Sequence, residues 1–193
     1  AWTGRLVAPF GNFGSREVRG SVSGPLASTV GLSLAIGHDE RDGFSKNAMT
    51  GHTIDDRKST YGKAQLLWTP SQQWETRLIV SGERSRDGDY GLHDLAALRA
   101  NPFTVARDFE GKQDRDVKAG TLVARRHGSK LTFTSTSGLV HWKTVDVTDL
   151  DYMPVSLVTR DNTEKATQST QEFRLAGAPI TLSDKATLTW QAG

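Results

Sequence analysis

The sequence predicts an all-β protein, a partial antiparallel transmembrane β-barrel made of about nine meandering strands of a larger barrel. Three observations predict it. Apolar residues fall at period two, the readable strands run longer than those of soluble sheets, and short and long connections alternate between them.

Strands are expected at Trp2 to Phe10, Ser15 to Gly24, Thr29 to His38, Arg57 to Trp68, Gln73 to Arg84, Arg115 to Arg126, Lys130 to Thr144, Gln168 to Gly177 and Lys185 to Gly193. The clearest alternation is in the third, where Val30, Leu32, Leu34 and Ile36 interleave with Gly31, Ser33, Ala35 and Gly37, giving one aliphatic face and one slim face. In the fifth, Trp74, Thr76, Leu78 and Val80 oppose Glu75, Arg77, Ser81 and Glu83, with Ile79 on the polar side. The sixth sets Val117, Ala119, Thr121 and Val123 against Lys118, Gly120, Leu122 and Ala124. In the seventh, Leu131 and Phe133 alternate with Lys130, Thr132 and Thr134. In the eighth, Phe173 and Leu175 oppose Glu172 and Arg174, and in the last Ala186, Leu188, Trp190 and Ala192 oppose Lys185, Thr187, Thr189 and Gln191. Soluble strands run to about five or six residues, whereas a tilted strand needs about nine to eleven to cross a bilayer.

Short links are expected at Pro25 to Ser28, Thr69 to Gln72, His127 to Ser129 and Ala178 to Asp184, and long ones at Asp39 to Asp56, Ser85 to Asp114 and Val145 to Thr167. Short turns at one end and long loops at the other are how outer-membrane barrels are built. Only the Gly11-Asn12-Phe13-Gly14 hairpin turn is short at the long-loop end. Trp68 and Trp74 flank a short turn, where an interfacial aromatic girdle would place them, although the core of a soluble sandwich would also accept them.

Composition sets the outer bounds. No stretch approaches the roughly 18 to 20 consecutive apolar residues of a transmembrane helix. Cysteine is absent, which removes disulfides and thiolate metal sites. The 24 basic and 22 acidic residues are mixed along the chain rather than blocked, so no nucleic-acid partner is expected. Ala1-Trp2-Thr3-Gly4 offers no basic segment followed by an apolar core, so no signal peptide is expected.

Several segments resemble the barrel of TonB-dependent receptors. They are GNFGSREVRGSVSGPL (Gly11 to Leu26), RDGFSKNAMTG (Arg41 to Gly51), DDRKSTYGKAQLLWTPSQQWE (Asp55 to Glu75), TQEFRLAG (Thr170 to Gly177) and TLTWQAG (Thr187 to Gly193). The resemblance implies residues 1–193 as part of a barrel of about 22 strands, with the plug domain, TonB box and later strands lying elsewhere. It also implies a bacterial outer-membrane location, a surrounding of outer-membrane lipid, a TonB partner and uptake of a scarce small molecule such as a ferric siderophore. No cofactor, metal or enzymatic activity is expected.

Lumen-facing candidates are Arg77, Glu83, Lys118, Arg126, Glu172 and Arg174, expected to hydrogen-bond to one another, to water and to a plug; extracellular-loop candidates are Arg84, Arg86 and Tyr90. The runs Asp39 to Asp42 and Arg84 to Asp89 read as hydrated rims. The acidic stretch Asp146 to Asp151 could draw a hard cation but lacks the glycine and closing glutamate of a calcium hand, so a solvated loop is expected there. His38, His52, His93, His127 and His141 fall at no metal-ligand spacing. Two other classes stay open. One is a smaller complete barrel, structural or lipase- or protease-like; the other is a soluble β-sandwich whose aliphatic faces pack on each other.

Overall fold

A computed structural model describes residues 1–92 and 94–193; His93 lies outside the described residues. In chain order the elements are β1 (Thr3–Val7), β2 (Arg16–Ala27), β3 (Val30–Arg41), β4 (Lys46–Asn47), β5 (Arg57–Ser71), β6 (Trp74–Gly88), α1 (Leu95–Ala100), β7 (Thr104–Val105), β8 (Lys112–His127), β9 (Leu131–Asp149), β10 (Thr159–Gly177), β11 (Ile180–Ser183), β12 (Ala186–Leu188) and β13 (Gln191–Ala192). A single antiparallel sheet of nine strands runs in the order β1-β2-β3-β5-β6-β8-β9-β10-β13. Each strand lies beside its predecessor in the sheet, so the expected antiparallel wall of a barrel is the observed architecture.

Cross-strand pairing fixes which residues share a face. One row joins Arg19, Gly37, Tyr61, Glu83, Val117, Trp142 and Ala166. On the opposite face, one row joins Val22, Leu34, Ala64, Val80, Gly120 and Leu139, and the next joins Gly24, Leu32, Leu66, Leu78, Leu122 and Ser137. The second face is therefore an apolar band. Toward the short-turn end it finishes in Trp68, Trp74, Phe133 and Phe173, the two phenylalanine rings stacked with centroids 6.1 Å apart.

No second layer covers that band among the described residues. Leu34 is 41%, Leu139 53% and Ile36 65% exposed, and among the described residues the only buried hydrophobic ones are Ile54 and Val105, both in the long loops. This overturns the β-sandwich alternative, which requires the aliphatic face to be buried by protein. Leaving a large aliphatic side chain in water forgoes about 1.5–3 kcal/mol. Summed over such a band, that rivals the roughly 5–15 kcal/mol by which a whole domain is stable, so the face needs a non-aqueous neighbour.

The connections at 28–29, 72–73 and 128–130 are tight, and those at 42–56, 89–111 and 150–158 are long. Between β1 and β2, Ser15 N–H donates to Asn12 O at 3.2 Å across Phe13 (φ 58°) and Gly14 (φ 62°). Two successive left-handed residues make a type I′ turn, whose twist suits a hairpin. A Cβ on Gly14 would meet the Asp42 carboxylate at 2.5 Å.

Two expectations need correction. First, the strands continue beyond their expected ends at the long-loop side, to Arg41, Gly88 and Asp149 and from Lys112 and Thr159, so the loops are shorter than expected. Backbone pairing persists there after the hydrophobic alternation has faded. Second, Lys185 to Gly193 is not one strand. β11 and β12 pair with each other in a small hairpin, with Lys185 N–H donating to Ser183 Oγ at 3.3 Å, and only Gln191 and Ala192 pair with β10. Period-two alternation marks an extended chain but does not say which neighbour it pairs with.

Candidate functional site

Two regions concentrate chemistry: a polar hollow on the face opposite the apolar band, and a layer of interlocked long loops above it. The hollow encloses about 770 Å³ and is lined by small residues from the pleat, such as Ser21, Ala35, Gly62 and Ser81, with charged ones standing above them. Five cations (Arg5, Arg19, Arg57, Lys63 and Arg115) face three carboxylates (Asp39, Glu83 and Asp87). Arg115 is ion-paired with Glu83, and Arg19 with Glu17 at 2.6 Å, whereas Arg5, Arg57 and Lys63 form no ion pair among the described residues. The Tyr61 ring lies over Gly37 on the neighbouring strand, where a Cβ would stand 2.4 Å from the ring, so glycine here makes room for the aromatic.

Of the residues singled out in the sequence, Arg77, Glu83, Glu172 and Arg174 stand on the face of this hollow. Arg77 shares a row with Val123, Thr136 and Glu172, and Arg174 shares one with Thr134, Arg125 and Glu75. Glu75 lies 3.5 Å from Arg77 and 3.9 Å from Arg125. Lys118 and Arg126 are on the other face, which corrects the expectation. Lys118 pairs with Gly82 and His141, and Arg126 pairs with Trp74 and places its guanidinium 5.6 Å from that ring's centroid. β8 mixes polar and apolar residues on both faces, so its alternation does not reveal which side is inward; its partners β6 and β9 decide.

Arg84 and Arg86 also differ from expectation. They belong to β6 rather than to a loop, and both bind Asp116 on β8, at 3.0 and 2.7 Å. Tyr90 follows the strand and is 47% exposed.

The loop layer is where side chains are buried. A short parallel ladder, Lys46 with Thr104 and Asn47 with Val105, joins loop 42–56 to loop 89–111. Fully buried Asn47 satisfies its whole amide: Nδ2 donates to Arg107 O at 3.0 Å and to Glu110 Oε1 at 3.1 Å, while Oδ1 accepts from the Met49 and Arg107 N–H groups. Arg107, 1% exposed, donates from Nη1 to Asp89 Oδ2 at 3.1 Å and from Nη2 to Leu92 O, and its guanidinium lies 5.0 Å from the Tyr152 ring centroid. Asp89 also accepts from Thr148 Oγ1 at 2.7 Å, tying in β9. α1 is capped by Asp94, which accepts from the Ala96 and Ala97 N–H groups. Burial raises the Glu110 carboxyl, but hydrogen bonds from Thr50, His52 and Asn47 outweigh it and hold the group below its usual range. Asp89 and Asp149, expected in hydrated rim and solvated loop, are instead buried at 2% and 0% exposure. Asn47 and Arg107 carry no signal in the sequence, and Asp89 only that of a charged run, because a polar core leaves no hydrophobic periodicity.

Each of the described histidines His38, His127 and His141 contacts a threonine hydroxyl, and His52 contacts Glu110 at 3.1 Å; none is hydrogen-bonded to a serine.

The fold is thus a run of antiparallel β-barrel wall with one apolar face. The chain superposes on the crystal structure of the ferric yersiniabactin uptake receptor FyuA from Yersinia pestis with a TM-score of 0.78 and 17% sequence identity, covering 94% of this chain and 28% of that one. It therefore spans under a third of that receptor's length. No family model matches the sequence.

Proposed function

We propose that residues 1–193 are part of the barrel wall of an outer-membrane, TonB-dependent receptor that takes up a scarce anionic small molecule, such as a ferric siderophore. The observation that carries this reading is a single-layer sheet with an apolar band on one face and a cation-rich hollow on the other. Lipid hydrocarbon is the neighbour that such a band requires, and an aqueous lumen is the neighbour that the charged face requires. The likeness to a siderophore uptake receptor supports the same reading.

In the proposed protein the edge of β10 from Thr159 to Arg174, which has no strand beside it among the described residues, is paired by further barrel strands. An open edge within hydrocarbon would leave each unpaired backbone group at a cost of several kcal/mol. Arg77, Glu83, Glu172 and Arg174 then bind plug and lumen water, Arg5, Arg57 and Lys63 draw the anionic ligand inward, and TonB supplies the energy that shifts the plug.

The test has two parts. The protein should fractionate with outer membranes and require detergent for extraction, and cells lacking it should fail to accumulate a labelled ferric siderophore, as should cells lacking TonB. A detergent-free, monodisperse globule, or undiminished uptake without the protein, would sink the proposal.

A further inference from the structure

We infer that Asp108, Asp149 and Asp151 form a calcium site that clamps loop 89–111 to the junction of β9 and loop 150–158. Carboxylate oxygens of the three residues lie within 4.8 Å of one another. That is the span of two ligands on opposite sides of one ion at about 2.4 Å each, inside the usual calcium–oxygen range. The residues come from separate stretches of chain, so the cluster is a product of the fold and not of the acidic run alone.

Asp149 supplies the independent reason to place an ion there. The residue is wholly buried, and its Oδ1 already accepts from the Asp151 and Tyr152 N–H groups at 3.1 and 3.3 Å. Its Oδ2 is buried with no partner at all. A buried carboxylate oxygen without a donor is costly, and natural proteins satisfy such atoms with a donor, a water or an ion. The nearby Arg107 directs Nη1 to Asp89 and Nη2 to Leu92 O, its buried Nε has no partner, and none of the three aspartates forms an ion pair with it or with any other cation among the described residues.

The ligand chemistry selects the metal. Three hard carboxylates, with no histidine or thiolate among them, suit calcium or magnesium rather than zinc or copper. Calcium tolerates the irregular, loop-borne geometry, whereas magnesium demands a near-octahedral cage. Asp151 is itself held in place, accepting from Met153 N–H at 3.0 Å and Val158 N–H at 2.8 Å, so its carboxylate reaches the cluster already oriented. Asp108 is exposed and makes no hydrogen bond among the described residues, which leaves it free to swing onto an ion. Sites of this kind on extracellular modules bind calcium at about 10⁻⁴–10⁻³ M. The inference does not depend on what the receptor transports.

The experiment is calorimetric titration of calcium chloride into the chelator-treated protein, in non-ionic detergent free of anionic lipid. One saturable site is expected, with magnesium at least about tenfold weaker, a preference calcium's looser geometry allows. Asp108→Asn is expected to weaken calcium binding about tenfold, the scale of one lost charged ligand near the surface, and Asp149→Asn to abolish it. Asp161→Asn, on exposed β10, should leave it unchanged. Chymotryptic cleavage after Tyr152 and Leu157 should slow severalfold with calcium in the wild type and not in Asp108→Asn. Because Asp108 holds nothing else in place, that variant folds normally and keeps the test decisive even if Asp149→Asn does not fold. Absence of saturable calcium binding, equal affinity for magnesium, or wild-type affinity in Asp108→Asn would each overturn the inference.

Discussion

The long strands and the loop layer above them are stabilised by opposite means. The strands form one sheet with its aliphatic side chains still exposed, Ile36 at 65%, and they depend on surroundings that the chain does not itself provide. Among the described residues the loops bury Asn47, Asp89, Arg107, Thr148 and Asp149 around two apolar residues, Ile54 and Val105, and depend on hydrogen bonds that satisfy all but the Arg107 Nε and Asp149 Oδ2 atoms of these side chains. The surroundings of the sheet therefore set the stability of the first region, and internal polar pairing sets that of the second.

The largest expected way to separate the two is Arg107→Ala. Removing one partner of a buried ion pair leaves Asp89 uncompensated, at about 3–5 kcal/mol. Amide hydrogen exchange should accelerate throughout 89–111 while the mid-strand amides of β5 and β6 keep their protection; equal loss in both would abolish the distinction. Next is Leu34→Lys. A charge on the proposed lipid face costs about 2–4 kcal/mol near the bilayer centre, read as a lower urea midpoint in lipid vesicles, whereas Ala35→Lys on the hollow face should move that midpoint far less. Similar shifts at both positions would mean that the faces are not lipid and water.

Asn47→Ala removes a fully satisfied amide and leaves the Met49 and Arg107 N–H groups without their acceptor, at about 1–3 kcal/mol. Faster proteolysis within 42–56 and 89–111, with the β-sheet circular dichroism retained, is the expected result. The smallest effect is that of Arg126→Gln, which loses the guanidinium over Trp74, about 0.5–1 kcal/mol at an exposed site. A change in Trp74 emission with almost no change in the unfolding midpoint would place that pair at the boundary of the band.

The same contrast governs what could be read from the sequence. Val30, Leu32, Leu34 and Ile36 announce a strand because a sheet with one apolar and one polar face imposes period two on its side chains. The alternation fades where strands rise beyond the band, as at Thr159 to Thr167 of β10, so the extensions carry no periodic signal. It also fails in β8, where Lys118 and Leu122 share a face, and only pairing with β6 orients them. The loop core left no periodic trace at all. Asp108 and Asp149 are far apart in the chain, so their proximity exists only once β8 and β9 are paired and loop 89–111 has folded back. The acidic run from Asp146 was visible, but burial of Asp149 was not, because nothing in a polar stretch distinguishes a residue that points to water from one that points inward.

The two-residue parallel ladder between Lys46–Asn47 and Thr104–Val105 has a mechanical consequence. Loops 42–56 and 89–111 spring from different hairpins, yet this stitch and the Asn47 amide make them one body, so neither can swing without carrying the other. The two loops are thus a single jointed flap rather than two independent fingers, rooted on the two sides of β5 and β6.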